Sequence, residues 1–369
     1  MQTSTRIALS EPSLAGNEAR YLSQCVEENW FAAKGRFVHE LESLFARLHG
    51  RADAVSTASG TAALHLAMVA LGLGPGDEVL VPALTFVASA NAVRYTGATP
   101  VIVDVDPVTF TLDPAYAAGA VTERTRAMVV VHLFGHPADM DPLCALAREH
   151  DLAIVEDAAQ ALGSSYRGRA CGTIGDVGCF SFNGNKIVTA GGGGMILAGD
   201  PDRLEHIRHL SFQGREPGTR EYLHDEVGFN YALSNLHAAI GLAQLERLEE
   251  LLSRRRSIAL RYAEALDRTD DLEFSPEEPW ARSNFWLMSV LVDSARHGRS
   301  REQLAQALEH AGIEARPFFT PIADLAAYDS GAAVPVARRL HRDGLLIPSS
   351  SGLTGAEQER VLAELLDFA

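Results

Sequence analysis

The sequence predicts an α/β fold: a mostly parallel central sheet flanked by helices, followed by a smaller α+β C-terminal domain. Three observations predict it. Apolar strands alternate with helices through the first two thirds of the chain, and those strands are near-continuously apolar, as parallel strands covered on both faces are. Beyond about Leu266 the pattern changes to widely spaced strands and helices without that regular alternation. The length, 369 residues, suffices for two units with a sizeable core. The expected division is residues 1–250, with the N-terminal segment, and residues 251–369.

Taken in order, Asn17–Asn29 and Phe37–Leu48 have helical patterns, separated by Trp30-Phe31-Ala32-Ala33-Lys34-Gly35. That aromatic pair reads as a core plug or as part of a site wall. Ala54–Thr57 is a short strand, and Ser59-Gly60-Thr61 starts a helix that ends near Gly72. His65 inside this helix reads as packed. Glu78–Val81 is a strand, Thr85–Tyr95 a helix after Pro82, and Val101–Val105 a strand. Ala127–Phe134, Met140–His150 and Ala153–Val155 continue as strand, helix, strand. Val177–Phe182 and Met195–Leu197 are apolar strands, and Pro201–Leu210 is a helix. The polar, turn-rich stretch to Asn235 reads as a surface loop. Ser234 then starts one long helix to about Leu266, with Leu236, Ile240, Ala243, Leu245, Leu248 and Leu252 at helical spacing. Arg254-Arg255-Arg256 reads as its solvated face. Strand Phe285–Val292, helix Arg301–Ala311, strand Leu345–Pro348 and helix Gly355–Phe368, capped by Thr354, build the smaller domain.

Composition excludes several classes of function. The net charge of -16 argues against non-specific nucleic-acid binding. No apolar run approaches a membrane span. Cys25, Cys144, Cys171 and Cys179 lie far apart and form no CxxC pair, so no metal site and no disulfide framework is expected. The N-terminal residues are polar and lack the apolar region of a signal peptide, which predicts a cytoplasmic protein.

Chemistry concentrates in Val177–Leu197. A buried strand breaks into Asn183-Gly184-Asn185, presents Lys186, and meets Gly191–Gly194. Partial desolvation would lower the pKa of such a lysine and make its amine nucleophilic. The plainer reading is a solvated loop residue. Gly60 and Thr61 open a helix whose free N–H groups suit a phosphate; Ser59 or Thr61 reads equally as a plain N-cap. Asp157 stands just after a buried strand, as an ionic partner or as a helix cap. Together with Phe86 after a strand, and with Ser181 on the strand that leads to Lys186, these are the parts that pyridoxal 5'-phosphate (PLP) requires. It needs phosphate donors, a flat face for the ring, a carboxylate for the pyridine nitrogen and a lysine for the aldehyde.

The blocks ASGTAALHLA, LTFVASANAV, VEDAAQALGSSYRGR, GDVGCFSFNGNKIVTAGGGGMI, VGFNYALSNLHAAIGLAQLERL, GIEARPFFTPI and PSSSGLT resemble, in order, those of the DegT/DnrJ/StrS sugar aminotransferases. These are fold-type-I PLP enzymes of the aspartate aminotransferase superfamily. The resemblance implies that Lys186 forms a Schiff base with the cofactor and shuttles the proton. It implies that Asp157 pairs with the pyridine nitrogen, that Gln160 lies near the cofactor hydroxyl and that Phe86 stacks on the ring. Gly60, Thr61 and Ser181 would hold the phosphate. Asn230 would reach the cofactor phosphate of a partner subunit, so a homodimer with shared active sites is implied. Asn183, Arg316 and Phe318 match positions close to substrate. Ala232 departs from the family, which commonly has a basic residue there.

The implied activity is a ping-pong transfer of an amino group from glutamate to a nucleotide-linked keto-sugar. FNGNK and GIEARPFF resemble the branch acting at C4 of 4-keto-6-deoxy sugars, which includes perosamine-forming enzymes. Rival readings are a PLP-dependent sugar dehydratase, an aminotransferase for a cyclitol or another ketone, and an inactive relative serving as a binding or sensory module. Dehydratase relatives replace the lysine by histidine; Lys186 favours transamination.

Overall fold

The computed structural model describes residues 6–369 except 217, 219–220, 270, 295–297 and 329–330. The helices α1 (Glu18–Glu27), α2 (Arg36–Leu48), α3 (Gly60–Ala70), α4 (Ala88–Tyr95), α5 (Pro114–Gly119) and α6 (Met140–His150) fall in the first half of the chain. They interleave with strands β1 (Val55–Thr57), β2 (Glu78–Pro82), β3 (Thr99–Val103), β4 (Thr125–Val131) and β5 (Ala153–Asp157). The short strands β6 (Ser165–Tyr166) and β7 (Arg169–Ala170) precede β8 (Val177–Ser181) and β9 (Gly194–Ala198).

Among the described residues the central sheet runs β1-β9-β8-β5-β4-β2-β3. Strands β3, β2, β4, β5 and β8 are parallel. β9 alone runs against its neighbours, β8 and β1. The alternation of side chains along β4 shows why the strands read as solid apolar runs. Ala127, Val129 and Val131 enter one core, shared with α3 and the later helix Asn235–Leu245; Met128 and Val130 enter another, with Met140 and Leu143 of α6. His65 is buried against the rings of Tyr95, Phe229 and Tyr231.

After α7 (Pro201–Ser211), the expected single long helix is two: α8 (Asn235–Leu245) and α9 (Leu248–Leu266). The break falls at Glu246–Arg247, where the N-terminal segment crosses. Gln244 and Arg247 both donate to the carbonyl of Ser13, at 2.9 and 2.8 Å. Arg255 is a second correction. The sequence places it on a solvated face, yet it is 1% exposed. Trp30 and Phe31 are a third: they plug no core but are 51% and 43% exposed in the single chain.

The second sheet is antiparallel throughout. It contains β10 (Leu272–Phe274), β12 (Met288–Val292), β14 (Gly344–Ile347) and β13 (Arg316–Pro317), while β11 (Ala281–Arg282) joins β6 and β7. Its core takes Ile258, Tyr262, Met288, Val290 and Leu345. Helices Arg301–His310 and Gly355–Phe368 cover it, the latter with a capping box at Thr354 and Glu357. The four cysteines are free thiols. Among the described residues no helix is long and apolar enough to cross a membrane.

Candidate active site

Lys186 sits on the arch joining β8 to β9. The base of the arch is closed by Phe182 N–H to the Gly193 carbonyl and Ala190 N–H to the Phe182 carbonyl, both at 2.9 Å. Gly193 takes φ +124° there, a conformation that a β-carbon would strain. The side chain turns inward, with Nζ 3.5 Å from the centroid of the Trp286 ring. Burial pushes the Lys186 amine down to about 7, and the negative charge of Asp157 pulls only partly the other way. At that value the neutral, nucleophilic amine is well populated near neutral pH.

Asp157 ends β5, beside Val131 of β4 and Cys179 of β8. It is buried, and both its oxygens are held: Ser89 Oγ donates to Oδ2 at 2.7 Å and the Ala159 N–H to Oδ1 at 3.1 Å. Strand alternation sends the preceding Glu156 to the opposite face. There Glu156 accepts from His132 Nε2 at 2.9 Å and from the N–H groups of Gly172, Ile174 and Gly175 at 2.7, 2.6 and 2.5 Å. Burial alone would push the Glu156 carboxyl up; the hydrogen bonds and the His132 ring outweigh it and hold the pKa below the usual range. Gln160, which lines the cavity, accepts the Phe134 N–H at Oε1 at 2.8 Å and fixes a residue with φ +55°.

Helix α3 begins beside the end of β8. Ser59 caps it, accepting the Ala62 N–H at 3.0 Å. The cap is Ser59, and Ser59, Gly60 and Thr61 all line the cavity. A β-carbon on Gly60 would lie 2.8 Å from Ser181 Cβ. Only glycine lets the helix start come this close to the strand end.

One cavity of about 650 Å³ collects these groups. Gly60, Thr61, Phe86, Asp157, Gln160, Ser181, Asn183, Lys186, Arg316 and Phe318 all line it. Phe86 is 53% exposed, with its ring 5.8 Å from that of Phe319. Arg316 pairs with Glu314 at 2.6 Å. Asn230 is absent from this lining; it is exposed and bridges Phe212 in the polar loop. Ala232 bridges Thr57 of β1.

Sequence reasoning missed Ser89 and Trp286. Ser89 sits inside LTFVASANAV, where a serine near a helix start reads as local capping. Trp286 falls in the apolar run Phe285–Val292 and reads as core.

The model of the DegT/DnrJ/EryC1/StrS aminotransferase family matches residues 12–366. The GDP-perosamine synthase of Caulobacter vibrioides is 44% identical over 363 residues, covering 98% of this chain and 97% of the relative. The GDP-perosamine synthase of Vibrio cholerae is 37% identical over 350 residues, covering 94% and 95%. Among solved structures, the aminotransferase TlmJ from Streptoalloteichus hindustanus superposes with a TM-score of 0.93 at 33% identity, covering 98% of each chain. The chain belongs to the DegT/DnrJ/EryC1/StrS aminotransferase family, and is a PLP-dependent enzyme of the fold-type-I class.

Proposed function

We propose that this enzyme moves an amino group from glutamate to C4 of a GDP-linked 4-keto-6-deoxy sugar in a ping-pong reaction. One observation carries the chemistry: a lysine amine pushed down to about 7 shares a cavity of about 650 Å³ with a buried, doubly hydrogen-bonded carboxylate. The full-length similarity to two proteins named GDP-perosamine synthase supports the substrate class.

The cavity fits PLP. The start of α3 offers the N–H groups of Gly60 and Thr61, and the lack of a β-carbon at Gly60 lets them sit directly beside the Ser181 hydroxyl. Asp157 is the carboxylate for the ring nitrogen, Phe86 the aromatic face, Gln160 the amide for the ring hydroxyl, and Lys186 the amine. When bound, PLP supplies the electron sink that stabilises the carbanion at the reacting carbon.

The chain's own groups do the rest. Ser89 and the Ala159 N–H orient the Asp157 carboxylate, so that it needs no reorganisation to meet a positive ring nitrogen. Within each half-reaction Lys186 Nζ takes a proton from one carbon and delivers it to another, a role suited to an amine titrating near the working pH. Arg316, Asn183 and Phe318, which line the same cavity, are assigned to the sugar nucleotide. The exposed Asn230 is assigned to the cofactor phosphate of a second subunit, which makes the working unit a homodimer. A division of the chain near residue 250 and a cytoplasmic location belong to the same reading.

The test is a panel of GDP-, dTDP- and UDP-linked 4-keto-6-deoxy sugars with glutamate, following 2-oxoglutarate and the aminated product. Amination of the GDP-linked ketone is the expected result. Release of 2-oxoglutarate only with another ketone would overturn the substrate assignment.

A further inference from the structure

One side chain grips the lysine loop twice. Trp286 Nε1 donates to the carbonyl of Asn185, the residue before Lys186, at 2.8 Å. The face of the same indole carries Lys186 Nζ, 3.5 Å from the ring centroid. Ser10 Oγ also donates to the Asn185 carbonyl, at 3.1 Å.

The indole is itself anchored from below. Arg255 Nη1 donates to the backbone carbonyls of Trp286 and Ser349 at 2.7 and 2.6 Å, and Nη2 reaches Ser10 Oγ at 3.4 Å. No carboxylate is paired with this guanidinium among the described residues, and burial pushes it down to about 10. A buried cation without an acid is costly. What it secures here is the backbone beneath the ring that faces the lysine.

A lysine that bonds to a cofactor in one half-reaction and leaves it in the other needs a resting place while free. A carboxylate there would bind the ammonium tightly and hold it protonated. An aromatic face attracts it more weakly, through the ring quadrupole, and lets it go.

We infer that Trp286 is a positioning residue for Lys186: its ring holds the free amino group at the cavity wall while the lysine is not bonded to the cofactor, and Arg255 fixes the ring for that purpose. Its place in the cycle rests on the aminotransferase reading; the contact itself does not.

The test uses the full chain without cofactor. Its three tryptophans are Trp30, Trp280 and Trp286, so Trp30→Phe with Trp280→Phe leaves Trp286 as the only indole emitter. The charged groups facing the lysine and the ring are Asp157, Arg316 and Arg255, so Lys186→Met in the same background identifies the titrating group. The emission should titrate with a midpoint near 7, and Lys186→Met should abolish that transition. A flat emission, or the same transition without Lys186, overturns the inference. In the loaded enzyme, Trp286→Leu should lower kcat about tenfold at unchanged KM for the sugar, and Trp286→Phe, which keeps a ring face, should lose less. Equal losses in the two variants would also overturn it. If no sugar in the panel is aminated, the fluorescence titration still decides the contact, so the two failures are distinguishable.

Discussion

Replacing Glu156 by Gln keeps the size of the side chain and removes its charge. The native carboxylate meets four donors, two at each oxygen: Ile174 and Gly175 at Oε1, Gly172 and His132 at Oε2. The Ala138 N–H donates to His132 Nδ1 at 3.0 Å, so the imidazole proton sits on Nε2 and that atom is a donor. A glutamine has one acceptor oxygen. Whichever way it turns, its NH2 group faces two donors that lose their partner. Each buried orphan costs about 1–3 kcal/mol, so the expected loss is about 2–6 kcal/mol. For a chain of this length that is a fall of about 3–8 °C in Tm, read by thermal melting followed by circular dichroism. The pH dependence supplies a second check. The folded pKa of Glu156 lies below its unfolded value. Its contribution is therefore complete above about pH 4.3 and is lost as pH falls through the folded value. The difference between wild type and variant should narrow in acid. An unchanged Tm at neutral pH, or a gap that widens in acid, would refute this account of the Glu156 cluster.

Three further outcomes are expected. Lys186→Met should abolish transamination yet raise the melting temperature of the cofactor-free protein near neutral pH. The folded amine titrates near 7 and the unfolded one about 10.4, so wild-type stability rises with pH between them and calorimetry should show the gap closing toward the upper value. Asp157→Asn should cost about 3–4 kcal/mol in kcat/KM, measured in both half-reactions, and wild-type rates would count against the ring-nitrogen role. Gly60→Ala brings a methyl group to 2.8 Å from Ser181 Cβ; equilibrium dialysis should show weaker PLP retention, with the fold preserved by circular dichroism.

Much of the molecule was legible because its signals are local. Parallel strands buried on both faces write themselves as apolar runs, and Lys186, Asp157 and Gly60 each stand where such a run or a helix start breaks. Other features were illegible because they depend on partners distant in sequence. Arg255 is held by carbonyls from Trp286 and Ser349, which no local pattern announces. A signal was present even so: Leu251, Leu252, Arg255, Ile258, Ala259 and Tyr262 fall on one buried stripe of α9, and its two arginine neighbours hid it. The break between α8 and α9 escaped for the same reason, since the carbonyl of Ser13 lies far upstream. Trp30 and Phe31 misled in the opposite sense, because hydrophobicity indicates burial but not against which surface.

The wall around Lys186 draws on both ends of the chain. Leu9 lines the cavity together with Trp286 and Leu346, and the Ser349 N–H ties back to the Leu9 carbonyl at 2.8 Å. During synthesis the sheet bearing Asp157 and Lys186 emerges first, with its lysine in water and its amine at the ordinary pKa of about 10.4. The cover follows with Trp286, Leu346 and Ser349. The burial that pushes the amine down is absent until then, so the nucleophile, like capture of the cofactor, waits for these later residues.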